Sequence, residues 1–471
     1  MKTKILTSVI VLIVGFVINA VSQTPEAWNS LISNAFLESR GYEVMNKICD
    51  EIGPRLMGSA NYERAQNVLE AELKKDKMNS TKEHFATLGW VRGNDEVIMT
   101  QPTYRKLRVT ALGFVHQQPQ FSAQLVFAEN GTEEAIAKAD VKDKILLIEK
   151  NGMFGRSGPN AMEIVKNAMK YNAKAVLTYN ASQPGFTAIA KTGSFASDTV
   201  KMPIFEITYE EGLWLYRLLS QGKTVELQMT VNSYCKQVNT SNLVVTFPGK
   251  VKEKIVVGAH FDSWDLGQGA VDNGLGSAII YDMAKQMRKF NPKNHYTVEF
   301  VWFTGEEVGL VGAKKYVEMH KEDKIIAYIN FDMTGYPIGF NVMGFEYYRP
   351  FFEKLITDLN GFEMKDGVKS QPWTGSDHLP FMLMGIPTFH ISGKLDEIMY
   401  KYYHEAADTW DKVSRKYLSE TVAVASVMLY EVANNKDLKH RNLIESEVID
   451  MLQKYNLKEQ LQKTGEWPFG N

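Results

Sequence analysis

The sequence predicts an α/β protein: a mostly parallel central sheet with helices on both faces, carrying a second module inserted into its first part. Three observations lead there. After position 239, four apolar strand patterns alternate with helical segments at 275–290, 309–320, 350–360 and 415–432. The strands are "KIVVGAH" (254–260), "YTVEFVWFT" (296–304), "KIIAYINFD" (324–332) and "GIPTFHI" (385–391). The block 108–238 has a strand, helix, strand rhythm of its own. Histidines and acids also gather at the ends of several late strands, where open α/β sheets place their ligands.

Composition narrows the classes. The chain has 471 residues and a net charge of -2, long enough for two domains and without the basic excess of a nucleic-acid binder. Two cysteines, Cys49 and Cys235, make no disulfide-rich scaffold and lack the C-x-x-C spacing of a thiolate zinc site. The opening "MKTKILTSVIVLIVGFVINAVSQ" has the layout of a signal peptide: Lys2 and Lys4, an apolar run, then small residues with cleavage expected after Ser22. The run is short for a bilayer span and no later segment reaches that length. The expectation is an exported protein, secreted or periplasmic, with no stable membrane span in the mature chain.

From Thr24 to about Lys75 the pattern is helical, broken at "EIGPRLMGS" (51–59), where Gly53, Pro54 and Gly58 force a loop. Strand-like stretches follow at "LRVTALGF", "FSAQLVFA", "KDKILLIEK" (142–150) and "KAVLTYN" (174–180), with a helix expected over 160–173 between the last two. A final helical stretch runs from about 441 to 462, charged on one side.

The chemistry lies at the late strand ends. "GAHFDSWDLGQGAVDN" (258–273) puts His260, Asp262, Asp265 and Asp272 after a buried strand. Gly305, Glu306 and Glu307 follow the next strand, Asp332 the one after, and "YYHEAADTWD" supplies His404 and Asp408. Any one of these acids alone is explained by a solvated loop; the set is not. Adjacent glutamates can both point inward only if a cation offsets them or one is protonated. One can then ligate a metal while its neighbour serves as general base. Carboxylates with imidazoles suit zinc and leave cobalt or manganese open.

With these motifs the chain resembles the M28 family of co-catalytic zinc peptidases, and within it the plasma glutamate carboxypeptidase branch. The resemblance runs through "IGPRLMGS", "HFDSWDLGQGAVDNGLG", "FTGEEVGLVGAKKYV", "NFDMTG", "GSDHLPF" and "YYHEAADTWD". It implies the zinc exopeptidase fold, with 23–107 as the N-terminal part of the peptidase domain and 239–471 as its main part. The block 108–238 then resembles an inserted protease-associated domain.

Carried over residue by residue, the resemblance makes His260, Asp272, Glu307, Asp332 and His404 the ligands of two zinc ions and Glu306 the general base. Asp272 would be shared, with His260 and Asp332 on one ion and Glu307 and His404 on the other. Asp262 is expected behind His260, orienting it, and Asp408 to steady the loop of His404. Asp377 and His378, in "GSDH", are candidate substrate-side residues. Many relatives have two consecutive aspartates where this chain has Asp272-Asn273.

The implied reaction is hydrolysis of dipeptides or short peptides by metal-activated water, carboxypeptidase-like or dipeptidase-like. An aminopeptidase uses the same metal pair and grips the other terminus. A non-catalytic binding protein on the same fold would have lost some of the six positions, and none is lost. Serine and cysteine mechanisms lack their motifs: there is no G-x-S-x-G, and H-E-x-x-H is absent as well. Aromatic runs at 347–352 and 399–410 fit a pocket wall, a homodimer surface or core packing equally.

Overall fold

The computed structural model describes residues 26–150, 158–180, 185, 187–192, 200–290, 294–436, 438 and 440–470. The expected leader, 1–22, lies outside them. Among the described residues no helix is long and apolar enough to cross a membrane.

Two eight-stranded sheets organise the chain. In the first, four neighbouring central strands, Thr297–Phe303, Lys254–His260, Ile325–Asn330 and Thr388–Lys394, run parallel. They are the four read from the sequence. Antiparallel pairings extend the sheet: Tyr234–Phe247 beside Thr297–Phe303, and Tyr336–Asn341 beside Thr388–Lys394. Thr297–Phe303 and Ile325–Asn330 are buried along their whole length, as continuous Val, Ile and Phe runs require. Helices Leu275–Phe290 and Arg415–Asn434 lie almost wholly in the large core on one face. A smaller cluster around Phe303, Tyr316, Tyr328 and Phe381 fills the other. Tyr348 and Phe352, from the aromatic run, belong to the large core.

The second sheet draws its strands from Glu96–Gln101 through Glu226–Val231 and has its own core. Its first strand therefore precedes position 108. The long edge strand Ser80–Val91, which pairs with Tyr234–Phe247, was not legible: "STKEHFATLGWV" alternates weakly because most of it is half-exposed on both faces. The C-terminal stretch forms two helices, Glu445–Lys454 and Lys458–Thr464, split at Asn456, whose positive φ no helix interior adopts. Cys49 and Cys235 are both free thiols; Cys49 is buried under the first sheet's loops, and burial pushes it up to about 12.

Candidate metal centre

Parallel register brings the strand ends to one edge. His260 stands opposite Phe303, and Gly258 opposite Asn330. Glu306, Glu307 and Asp332 therefore emerge beside His260, a few residues past their strands. Gly305 makes the turn possible: its φ is +71°, and a Cβ there would stand 2.4 Å from the Met57 sulfur.

Two donor trios result. His260, Asp272 and Asp332 form one, and Asp272, Glu307 and His404 the other, each with its donor atoms within 4.8 Å of one another. Asp272 belongs to both. Its Oδ1 lies 3.1 Å from His260 Nε2 and its Oδ2 3.2 Å from His404 Nε2. His260 Nε2 is 3.6 Å from Asp332, and His404 Nε2 is 3.0 Å from Glu307. All five residues are buried or nearly so.

Burial and mutual charge set the electrostatics of the cluster. Burial raises the Glu306 carboxyl well above its usual range, and Asp332, Asp377 and Glu307 add to the rise. Burial and the charge of Asp272 push Glu307 up to about 7. Burial opposes a charged His404, yet Glu307 and Asp272 outweigh it and push the imidazole up to about 10. For Asp272 burial works upward, but its two histidine contacts hold it well below the carboxylate range. A concentration of buried carboxylates around two imidazole Nε2 atoms is a donor set for divalent cations with oxygen and nitrogen ligands. The residues fit such ions.

The supporting residues differ in part from expectation. His260 Nδ1 pairs with the backbone carbonyl of Asp262 at 3.1 Å, while the Asp262 carboxylate stands 3.8 Å away. That carboxylate instead accepts the Glu306 N–H at 3.1 Å, so Asp262 anchors the turn of the two glutamates. Burial pushes it up to about 6. Asp408 accepts the N–H groups of Val271 and Asp272, at 2.8 and 3.1 Å, and so holds the backbone of the shared carboxylate. Asn273 explains itself: its Nδ2 donates to the Phe331 carbonyl at 2.8 Å while its Oδ1 accepts from Gly276 and Met333. An ionised aspartate there has no proton to give Phe331. The Asp272-Asn273 peptide is cis.

Asp377 and His378, expected on the substrate side, are fully buried. His378 begins a short helix packed beneath the sheet edge, bonds the Trp373 carbonyl through Nε2 at 2.7 Å and rests on the Trp373 ring. Burial lowers it to about 4. The Asp377 carboxyl has no hydrogen-bond partner among the described residues, and burial drives it well above the usual range. Asp265 pairs bidentately with Arg92, at 2.8 and 3.0 Å, away from both trios.

Arg55 is a supporting residue that the sequence does not single out. Its guanidinium is wholly buried and donates to the carbonyls of Phe261, Gln268 and Gly269, at 2.9, 2.6 and 2.9 Å, pinning the loop between His260 and Asp272. An arginine between proline and leucine in a glycine-broken turn was the available signal, since a charge beside a loop signal is expected to be solvated.

Residues 242–429 match peptidase family M28, and residues 120–215 match the PA domain. The chain is 27% identical over 420 residues to carboxypeptidase Q of Bos taurus, covering 86% of this chain and 88% of that protein. It is 24% identical over 440 residues to aminopeptidase YwaD of Bacillus subtilis, covering 88% and 90%. Among solved structures, a peptidase M28 precursor from Shewanella amazonensis superposes with a TM-score of 0.76 at 24% identity, over 88% of this chain and 98% of that one. A zinc aminopeptidase from Bacillus subtilis gives 0.68 at 21% identity, over 87% and 98%.

Proposed function

Because the chain belongs to peptidase family M28, we propose that it is a two-zinc exopeptidase hydrolysing dipeptides or short peptides in the manner of a carboxypeptidase. The observation that carries this is Asp272, whose two oxygens face two different histidines at nearly equal distance. In this reading His260 and Asp332 hold one zinc ion, Glu307 and His404 the other, and Asp272 both. Cobalt or manganese can take the same ligands.

The bound metals would acidify the attacking water and draw electron density from the scissile carbonyl. The rest is the work of the chain. Glu306 takes the water's proton on its carboxylate as the oxygen adds to the carbonyl carbon. It returns that proton to the amine nitrogen as the C–N bond breaks. Asp262 fixes the backbone of Glu306, so its carboxyl is aimed from a rigid turn.

Aminopeptidase action is the second reading, supported by the chain-long similarity to aminopeptidase YwaD. Export through the N-terminal segment, a homodimer, and division into a split peptidase domain with a protease-associated-like insert belong to the same proposal.

The test is to measure zinc per purified chain and to assay free, N-blocked and C-blocked dipeptides. Two zinc ions, with cleavage lost only on C-blocking, are expected. Loss only on N-blocking makes it an aminopeptidase, and loss on both a strict dipeptidase. No turnover with zinc, cobalt or manganese would leave a binding protein. Glu306→Gln should lower kcat by about 10²–10⁴ while metal content stays the same.

A further inference from the structure

The two trios are held by different parts of the molecule. The bonds that fix His260, Asn273 and the Asp332 turn, given above, stay within the first sheet and its loops. The other trio is also gripped from outside. Residues 187–192 belong to the second sheet's side, where Lys191 bridges to Gly113. Gly113 donates to the Ala190 carbonyl at 2.8 Å, and Thr192 donates to the Gly113 carbonyl at 3.0 Å. From this anchorage the segment reaches across in two places. The Ile189 N–H donates to the His404 carbonyl at 2.9 Å. The Lys191 ammonium donates to the Val308 carbonyl, one residue past Glu307, at 2.7 Å.

These contacts meet the two loops that supply Glu307 and His404. The Lys191 bond is charge-assisted, and its ammonium also lies 4.4 Å above the Phe114 ring. His404 has a φ of +53°, an uncommon conformation for a residue with a side chain, so its placement depends on surrounding contacts. Trp264 closes the arrangement. Its ring lies so near Gly113 that a Cβ there would stand 3.0 Å away, and it meets the His404 imidazole edge-on with centroids 6.2 Å apart.

We infer that the 187–192 segment is a strap that sets the spacing of Glu307 and His404, so that the inserted unit tunes the metal affinity of one subsite and not the other. Lys191 is its positioning residue. This rests on the two-metal reading above. The docking of the insert against the sheet edge then controls whether the second ion is retained.

The experiment uses the full chain, stripped of metal and titrated with zinc against a chelator of known affinity, with thermal melting of the metal-free proteins alongside. The wild type is expected to bind two equivalents. Lys191→Met should bind one as tightly as the wild type and the other about 10–100-fold more weakly, the usual cost of losing a group that supports a ligand. Lys191→Arg, which keeps a cationic donor, should regain part of that loss. In a His404→Ala background Lys191→Met should have no further effect, whereas in a His260→Ala background it should still weaken the remaining equivalent. Unchanged affinities in Lys191→Met, or equal weakening of both equivalents, would overturn the strap while leaving the two-metal reading intact. Fewer than two equivalents in the wild type would overturn that reading and the strap with it. If Lys191→Met does not fold, Lys191→Gln, with its shorter neutral donor, gives the same comparison.

Discussion

His260 is the last residue of a central strand and Asp332 lies just past the end of its neighbour, so their spacing is set by the register of one parallel sheet. His404 comes from a loop between the Glu397–Lys401 helix and the turn at Trp410–Lys412, and that loop touches the insert. Two members of one trio, His260 and Asp332, are thus placed by backbone ladders that persist as long as the sheet does. The other trio depends on docking between two units with separate cores. A site assembled this way can lose one half of its geometry without unfolding, because surfaces between units open more easily than a sheet interior.

Three substitutions sharpen or break that contrast. The largest effect is expected from Arg55→Met, which removes the guanidinium's bonds to three carbonyls in the loop common to both trios. A hydrogen bond to a charged group contributes about 1.5–3 kcal/mol, so a loss of roughly 3 kcal/mol or more should appear in denaturant unfolding. Zinc titration should show both equivalents weakened together. If only one weakens, the loop is not the shared support described here.

Asn273→Asp acts on one side. It removes the amide bond to Phe331 and adds a carboxylate to a buried, acid-rich loop. Stability should fall by roughly 1–3 kcal/mol. The His260-side equivalent should weaken while the His404-side one is spared, the mirror image of Lys191→Met. Chelator titration of the two variants side by side decides it.

The smallest effect lies outside both trios. His320 sits between Glu83 and Asp323, at 2.8 and 2.7 Å. Burial disfavours its charge, but the two carboxylates prevail and raise its pKa. Because the folded value exceeds the unfolded one of about 6.5, the stabilisation is complete below that pH and is lost as pH rises through the folded value. His320→Gln should flatten this part of the stability profile by about 1 kcal/mol or less. Melting points across the pH range read it, and zinc affinity should not move.

Much of the site was legible because its chemistry is concentrated. Carboxylates and imidazoles at the ends of apolar strands are rare enough in combination that His260, Asp272, Glu306, Glu307, Asp332 and His404 stand out in the chain, and the structure brings them together. The supporting residues were harder to read. Arg55, Ile189 and Lys191 act on backbone carbonyls, and a carbonyl acceptor is present at every residue, so no pairing of residue types marks these contacts in advance. Asp262 and Asp377 show the same limit. Their residue type was informative, but whether a carboxylate faces an imidazole, an amide N–H or a closed interior depends on rotamers and packing.

The sequence by itself determined the parallel sheet and the edge at which it carries its ligands, because hydrophobic periodicity and strand-end chemistry are written within a few residues of each other. Only the tertiary structure decided that Asp272 turns one oxygen to each histidine. The insert's grip on Glu307 and His404 was settled there too, since it rests on contacts between segments more than a hundred residues apart. Bonds at that distance along the chain follow from how two cores meet, and no local pattern encodes that meeting.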